Sequence, residues 1–174
     1  ILRGDESVAS LILAIFAIGI GLGSLLCERL NHRHWPLPLL GALGMSLFSL
    51  ALYYVLQTKD YPQLISIIGF VQDASNWLTF VVFLGLSMSI GLFIVPLYTQ
   101  LQQESERRFV ARIIAANNIL NSIYLILSSL IIGALLGAQF TVQEIFLGLA
   151  LINLIYCLMF LNHLKQLRKP KIKP

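Results

Sequence analysis

Five long apolar runs, separated by short polar stretches, organise this sequence. They cover residues 7–26, 35–56, 77–98, 113–136 and about 144–164. A helix needs about 20 apolar residues to cross the hydrocarbon core of a bilayer. Each run has about that length, and none alternates polar and apolar positions as barrel strands do. Because backbone groups in lipid must be hydrogen-bonded within their own segment, the runs predict five transmembrane helices and an all-α membrane protein.

Aromatic residues and basic residues mark the ends of these runs. Five aromatic residues stand near run ends, as interfacial anchors do; they are Trp35, Tyr53, Tyr54, Trp77 and Tyr98. An odd number of spans places the two termini on opposite sides of the membrane. Ten basic residues then fall on the side of the C-terminus, and they are Arg29, Arg33, Arg107, Arg108, Arg112, Lys165, Arg168, Lys169, Lys171 and Lys173.

The opposite side receives only Arg3 and Lys59. Because basic residues concentrate in cytoplasmic loops, this bias predicts that the C-terminus is cytoplasmic and that residues 57–76 lie outside. The apolar stretch 64–71 within that outer loop is too short to span. We expect it to lie at the membrane interface or to pack as a piece of helix on the outer face.

Composition agrees with the membrane class. The chain has 174 residues, of which 57% are hydrophobic and 11% charged, and its mean hydropathy is +0.82. Soluble domains carry about 25% charged residues. The net charge of +4 does not indicate a nucleic-acid partner, because the basic residues lie between and after the apolar runs, where they set topology.

The chain starts at Ile1, and residues 3–6 do not resemble the start of a signal peptide. We therefore expect a segment of a longer protein, with residues 1–164 as a helical bundle and residues 165–174 as a basic cytoplasmic tail or linker. The tail could contact anionic lipid headgroups. A plain role in fixing topology is the interpretation we favour.

The sequence offers little for catalysis. Its histidines, His32, His34 and His163, do not stand beside a nucleophile in a recognisable motif. The two cysteines, Cys27 and Cys157, lie in or beside apolar runs without metal-ligand or redox spacing, so we interpret both as packing residues. We predict no enzyme activity in this chain, no metal site and no cofactor.

Small residues four apart recur in three runs. The pairs are Gly19 and Gly23, Ser87 and Gly91, and Gly133 and Gly137. Residues four apart share one face of a helix, and small side chains there allow two helix backbones to approach. We therefore predict close helix packing at each pair, and prefer this to a hinge role.

The start of the fourth run, "RIIAANNILNSIYL", concentrates polar side chains. Asn117 and Asn121 are four apart, as are Asn118 and Ser122, so the polar groups cover two adjoining faces of one helix. Asn121 lies about 13 Å beyond Arg112 along the axis, inside the bilayer. Polar side chains at such a depth should face protein or a watery cavity. We predict that the three asparagines line a substrate cavity, in preference to serving only as contacts between helices.

The fifth run contains a single internal asparagine, Asn153, among apolar residues. One polar group is what a single contact between helices requires, so we expect this span to be peripheral.

The stretch after the first run, "SLLCERLNHR", resembles the cytoplasmic-loop signature of the major facilitator superfamily. That signature reads small residue, x, Leu, x, acid, Arg, x, Gly, basic, basic. The matching positions are Ser24, Leu26, Glu28, Arg29, Asn31, His32 and Arg33. Glu28 replaces the usual aspartate and Asn31 replaces the glycine, although both Asn and Gly tolerate the left-handed turn.

This resemblance implies a position within a larger fold. In the family the signature joins the second and third helices, and a weaker copy joins the eighth and ninth. The degenerate copy here implies helices 8–12 of a twelve-helix transporter, with the N-terminal half absent. The family uses such charge clusters as a conformational latch between the two halves. By that analogy, Glu28 would find its partner in the absent half.

A closer resemblance is to the lysophospholipid transporter branch of that superfamily. It is carried by "SVAS…IGIGLGSLLCERL", "LGALGMSLF" and "VPLYTQLQ…RIIAANNILNS", and it extends from about residue 6 to residue 164. It implies a flippase for lysophospholipid in the bacterial inner membrane, which supplies a fused or partner acyltransferase. The first, third and fourth spans would line the cavity, and the second and fifth would face lipid more.

Two other functions remain open at this point. The chain could belong to a facilitator of another substrate, such as a drug or small metabolite. It could also be a membrane anchor for a fused or partner acyltransferase. An anchor predicts that leucine is tolerated at Asn117 and Asn121.

Overall fold

The computed structural model describes residues 6–31, 36–57 and 67–167, and within these ranges it contains helices and no strand. Five helices are long and apolar enough to cross a membrane, which confirms the prediction of an all-α membrane protein with five spans. The α-helices are α1 (Glu6–Asn31), α2 (Leu37–Gln57), the short α3 (Ile67–Gln72), α4 (Trp77–Glu104), α5 (Val110–Gly137) and α6 (Val142–Leu167).

Most of the spanning helices extend beyond the apolar runs that predicted them. Helix α1 continues to Asn31 and α4 to Glu104, five and six residues past the ends of the apolar runs at residues 26 and 98. The reason is that only the part of a helix inside the hydrocarbon core needs apolar side chains, whereas its backbone hydrogen bonds continue into the polar interface. Asn31 is therefore the last helical residue of α1. His32 and Arg33 lie outside the described residues, as do residues 168–174 of the predicted tail.

Helix α4 occupies the centre of the described bundle. It packs against α1 on one side and α2 on another, and α2 packs in turn against α6. An apolar cluster of Leu52, Leu56, Val82 and Leu86 fills the α2–α4 interface. The order of contact is thus α1, α4, α2, α6.

The second span, which was expected to face lipid more, is the most buried of the five within the described residues. Of the membrane-spanning part of α2, 39% is buried, compared with 17% for α1 and none for α5. Apolarity could not reveal this, because lipid-facing and protein-facing positions of a membrane helix are equally apolar. The fifth span, α6, is peripheral as predicted, since it packs chiefly on α2.

The α1–α4 crossing depends on small residues. A Cβ atom placed on Gly19 would collide with the side chain of Ser87, and one on Gly23 would collide with the carbonyl group of Met88. A Cβ on Gly91 would lie 2.6 Å from the carbonyl oxygen of Ile20. Two of the three predicted small-residue pairs therefore make close helix contacts.

Pro96 interrupts the hydrogen bonding of α4 near its C-terminal end. Proline has no N–H group, so the carbonyl of Leu92, four residues earlier, loses its helical donor. The thiol of Cys27 on α1 lies 4.0 Å from that carbonyl oxygen and 3.7 Å from the carbonyl oxygen of Gly91. Cys27 is thus a buried packing residue, as predicted, and also a weak donor to the α4 backbone near Pro96.

The short helix α3 covers the N-terminal end of α4. Phe70 of α3 is fully buried and its ring meets Phe80 edge to face at 5.4 Å. The side-chain amide of Asn76 donates to the carbonyl of Phe70 at 3.0 Å. Of the two alternatives for stretch 64–71, the packed helix is the one observed for its described part.

Candidate functional site

Helix α5 differs from every other long helix in its surroundings. It has no buried residue, and its contacts with α6 and with the rest of the bundle are few. Ile126 and Leu130, near its middle, are 61% and 66% exposed. The position of α5 therefore depends on the contacts at its two ends.

The C-terminal end of α5 is held by a tight turn into α6. Gln139 has a positive φ of 68°, and the N–H of Ala138 donates to the carbonyl of Ala134 at 2.9 Å. Glu144 accepts hydrogen bonds from the backbone N–H and the hydroxyl of Thr141, at 2.7 and 2.8 Å. This is a capping box, which starts α6 at a defined residue.

The N-terminal part of α5 is held by hydrogen bonds to α4. The side-chain amides of Asn117 and Asn121 both donate to the hydroxyl oxygen of Tyr98, at 2.7 and 2.8 Å. We refer to these three residues as the tyrosine–asparagine cluster. Asn117 is half-buried and Asn121 is exposed. The structure thus brings two of the three predicted asparagines together on one helix face.

Asn118 lies outside this cluster. Its side chain is exposed on the adjoining face of α5, and its backbone carbonyl accepts a hydrogen bond from the hydroxyl of Ser122 at 2.9 Å. The predicted trio therefore divides into a pair that contacts α4 and a third amide that faces away from it.

Tyr98 is the member of the cluster that sequence reasoning missed, because its place at the end of an apolar run suggested an interfacial anchor. A signal for its role was available. Tyr98 stands six residues before the end of α4 at Glu104, and Asn117 stands seven residues after the start of α5 at Val110. Positions equally far from a tight connection between antiparallel helices lie at the same depth, so the two side chains can meet.

The loop signature lies at the other edge of the bundle, at the end of α1. The hydroxyl of Ser24 donates to the carbonyl of Ile20 at 2.8 Å, while Glu28 and Arg29 are exposed. Ser24 and Glu28 line one side of a cleft of about 340 Å³, and Pro96 and other residues of α4 line the other side.

Glu28 and Arg29 line a second open cleft, of about 460 Å³, together with Met88. Asn31 ends the helix, and Arg33 lies outside the described residues. The structure therefore places the carboxylate of Glu28 and the guanidinium of Arg29 in the last turn of α1, where both face open clefts.

Five helices of spanning length and a polar cluster between two of them define a multi-pass membrane protein. The model of the Major Facilitator Superfamily matches residues 1–174. The chain therefore belongs to this superfamily, whose members are transporters rather than enzymes. No match was found among curated proteins or among solved structures.

Proposed function

We propose that this chain forms the C-terminal part of a transporter that flips lysophospholipid across the bacterial inner membrane, from where an acyltransferase re-acylates it. One observation carries the proposal. The stretches "VPLYTQLQ" and "RIIAANNILNS" resemble the lysophospholipid branch, and they are the same stretches that the tyrosine–asparagine cluster joins. The resemblance and the hydrogen bonds point to one site.

The surroundings of the cluster suit a molecule with one polar and one apolar part. Beyond Asn121, α5 presents apolar side chains over residues 123–136, a length of about 20 Å. The two serines in this stretch, Ser128 and Ser129, donate to the carbonyl of Leu125 at 3.0 and 2.8 Å, so they leave no hydroxyl hydrogen unpaired. A headgroup at the cluster would leave its acyl chain beside this apolar surface.

The mechanism we propose is alternating access, in which this bundle rocks against the other half of the transporter. Asn117, Asn118 and Asn121 would face the headgroup when the cavity is open. No residue of the chain identifies a coupling ion.

Leucine substitutions test the cavity role. In the full-length protein, Asn117→Leu or Asn121→Leu should reduce lysophospholipid flux in proteoliposomes at least about tenfold. Stability should change by no more than about 2 kcal/mol, because a polar contact between membrane helices contributes about 0.6–2 kcal/mol. Flux and detergent melting temperature are measured on the same purified variants.

Asn153→Leu is the matched control. The amide of Asn153 on α6 donates to the carbonyl of Ala42 on α2 at 2.7 Å, which makes it a contact between helices. The Asn153→Leu variant should be less stable than the unmodified protein, and its flux should fall only as far as that loss of stability explains. If the losses at Asn117 and Asn121 followed that same pattern, the cavity role would be refuted. Robust transport of a drug or metabolite without lysophospholipid flux would support the alternative facilitator, and normal function of both leucine variants would support an anchor.

The loop signature of Ser24, Glu28, Arg29, Asn31 and Arg33 is proposed as the conformational latch. A charge at a helix end that is paired in only one conformer biases the equilibrium between conformers. Glu28→Gln should therefore lower flux while membrane insertion stays intact. Unchanged flux in proteoliposomes would remove Glu28 from the mechanism.

The orientation with a cytoplasmic C-terminus is also a proposal, and it rests on the distribution of basic residues. In a background without Cys27 and Cys157, an impermeant thiol reagent added outside should label a cysteine at position 59 and not one at position 33. The opposite labelling pattern would reverse the topology.

A further inference from the structure

The hydrogen bonding of Tyr98 constrains how the two asparagines can be turned. A phenol hydroxyl carries one hydrogen and two acceptor lone pairs. It can therefore donate to at most one amide oxygen, and at least one of two neighbouring amides must turn its NH₂ group toward it. In this structure both do, with Asn117 at 2.7 Å and Asn121 at 2.8 Å.

A carboxamide that directs its nitrogen to one side directs its carbonyl oxygen to the other. With both nitrogens donating to Tyr98, the Oδ1 atoms of Asn117 and Asn121 turn away from the phenol. These oxygens accept hydrogen bonds and cannot donate them. The side of the cluster away from Tyr98 therefore differs in chemistry from that of two freely rotating amides, which would offer donors and acceptors equally.

We propose that Tyr98 is a positioning residue whose hydroxyl fixes the rotation of both amides, so that a ligand meets two carbonyl acceptors. This inference rests on the proposed role of the cluster as the substrate site. Its consequence is selectivity for ligand groups that donate hydrogen bonds, through N–H or O–H, over groups of similar charge that cannot donate. A site built to bond a donor rejects the analogue that lacks it, because its acceptors are then left unpaired.

A purely mechanical role of Tyr98 makes a different prediction. If the hydroxyl only held α5 against α4, its loss would loosen the helix pair and lower transport of all substrates by the same factor. Selectivity between two headgroups would not change. The ratio of rates for two matched substrates therefore separates positioning from mechanical support.

The test compares Tyr98→Phe with the unmodified full-length protein in proteoliposomes. The two probes are lysophospholipids with the same acyl chain, one with a primary ammonium headgroup and the other with the fully methylated ammonium. The unmodified protein should prefer the primary ammonium by at least about tenfold in kcat/KM. Tyr98→Phe should reduce that preference at least about threefold, chiefly through a higher KM for the primary ammonium probe.

Tyr54→Phe is the matched control, because it removes a phenol hydroxyl from an exposed side chain of α2, outside the tyrosine–asparagine cluster and outside the proposed acyl-chain surface. It should leave the preference unchanged. An equal fall in the rates of both probes in Tyr98→Phe, with the preference intact, would overturn the positioning role.

A spectroscopic measurement keeps the inference testable without a substrate. In protein labelled with ¹⁵N at asparagine, Tyr98→Phe should shift the side-chain NH₂ resonances of Asn117 and Asn121, and Tyr54→Phe should not. Absence of that shift would overturn the inference by itself. If the unmodified protein moved neither probe, the proposed lysophospholipid function would fail, while the resonances would still decide whether Tyr98 holds the two amides.

Discussion

The α1–α4 crossing and the C-terminal end of α5 have the same sequence pattern, but only the first packs closely against another helix. Gly19 and Gly23 stand four apart on α1, and Cβ atoms there would strike the side chain of Ser87 and the backbone of Met88 on α4. Gly133 and Gly137 have the same spacing on α5, yet among the described residues nothing lies within 4 Å of a Cβ placed on either.

The difference shows what a pair of small residues does and does not specify. Spacing alone creates a face on which another backbone can rest. Whether a helix rests there depends on a second helix with a complementary face, such as the one that Ser87 and Gly91 provide for α1. Within the described residues α5 has no such partner, so its small-residue face stays open.

The largest expected effect comes from filling the closed crossing. Gly23→Ala should destabilise the protein by about 1–3 kcal/mol, because the new methyl group meets the backbone carbonyl of Met88, which cannot rotate away. Unfolding in detergent with a chemical denaturant measures the change. Gly21→Ala is the control on the same helix, since nothing lies within 4 Å of its Cβ. Equal effects at the two glycines would mean that α1 and α4 do not cross as described.

A smaller effect of opposite sign is expected at the open face. Gly133→Ala and Gly137→Ala should leave stability unchanged or raise it by up to about 1 kcal/mol, because alanine favours the helix and finds free space. The same denaturation experiment applies. A loss as large as that of Gly23→Ala would show that a helix from elsewhere in the protein covers this face, and the contrast between the two regions would disappear.

The smallest effect is expected at Cys27, one turn beyond Gly23 on the same face of α1. Cys27→Ala should cost about 0.5–1 kcal/mol, because the thiol is only a weak donor to the carbonyls that α4 exposes near Pro96. A double-mutant cycle with Pro96→Ala sharpens the measurement. Alanine at position 96 returns an N–H donor to Leu92, so Cys27→Ala should cost less in that background. An unchanged cost would limit Cys27 to packing.

Much of this architecture was predictable because the bilayer restricts the choices. The number of spans follows from apolar length. Small residues four apart marked the packing faces of α1 and α4, although they did not identify the partner of either helix. The buried position of α2 did not follow, since protein-facing and lipid-facing apolar side chains look alike in the sequence. The helical ends of α1 and α4 did not follow either, because an apolar run marks the part of a helix within the bilayer and not where the helix stops.

The two asparagines of the candidate site could be predicted from the sequence, whereas its tyrosine could not. Asn117 and Asn121 stood out as polar groups within an apolar run. Tyr98 did not, because an aromatic residue near the end of a span has a common alternative role at the membrane interface. The hydroxyl of Tyr98 reaches the two amides because it lies about as far before the end of α4 as Asn117 lies after the start of α5.

The backbone contact at the α1–α4 crossing also limits how this bundle can move. Side chains at an interface can change rotamer and let two helices slide past each other in small steps. Glycine has no rotamers, and the atoms in contact at Gly23 and Gly91 belong to the main chain. Helices α1 and α4 should therefore move together as one rigid body. Conformational change during transport then has to take place at less tightly packed contacts, such as those of α5.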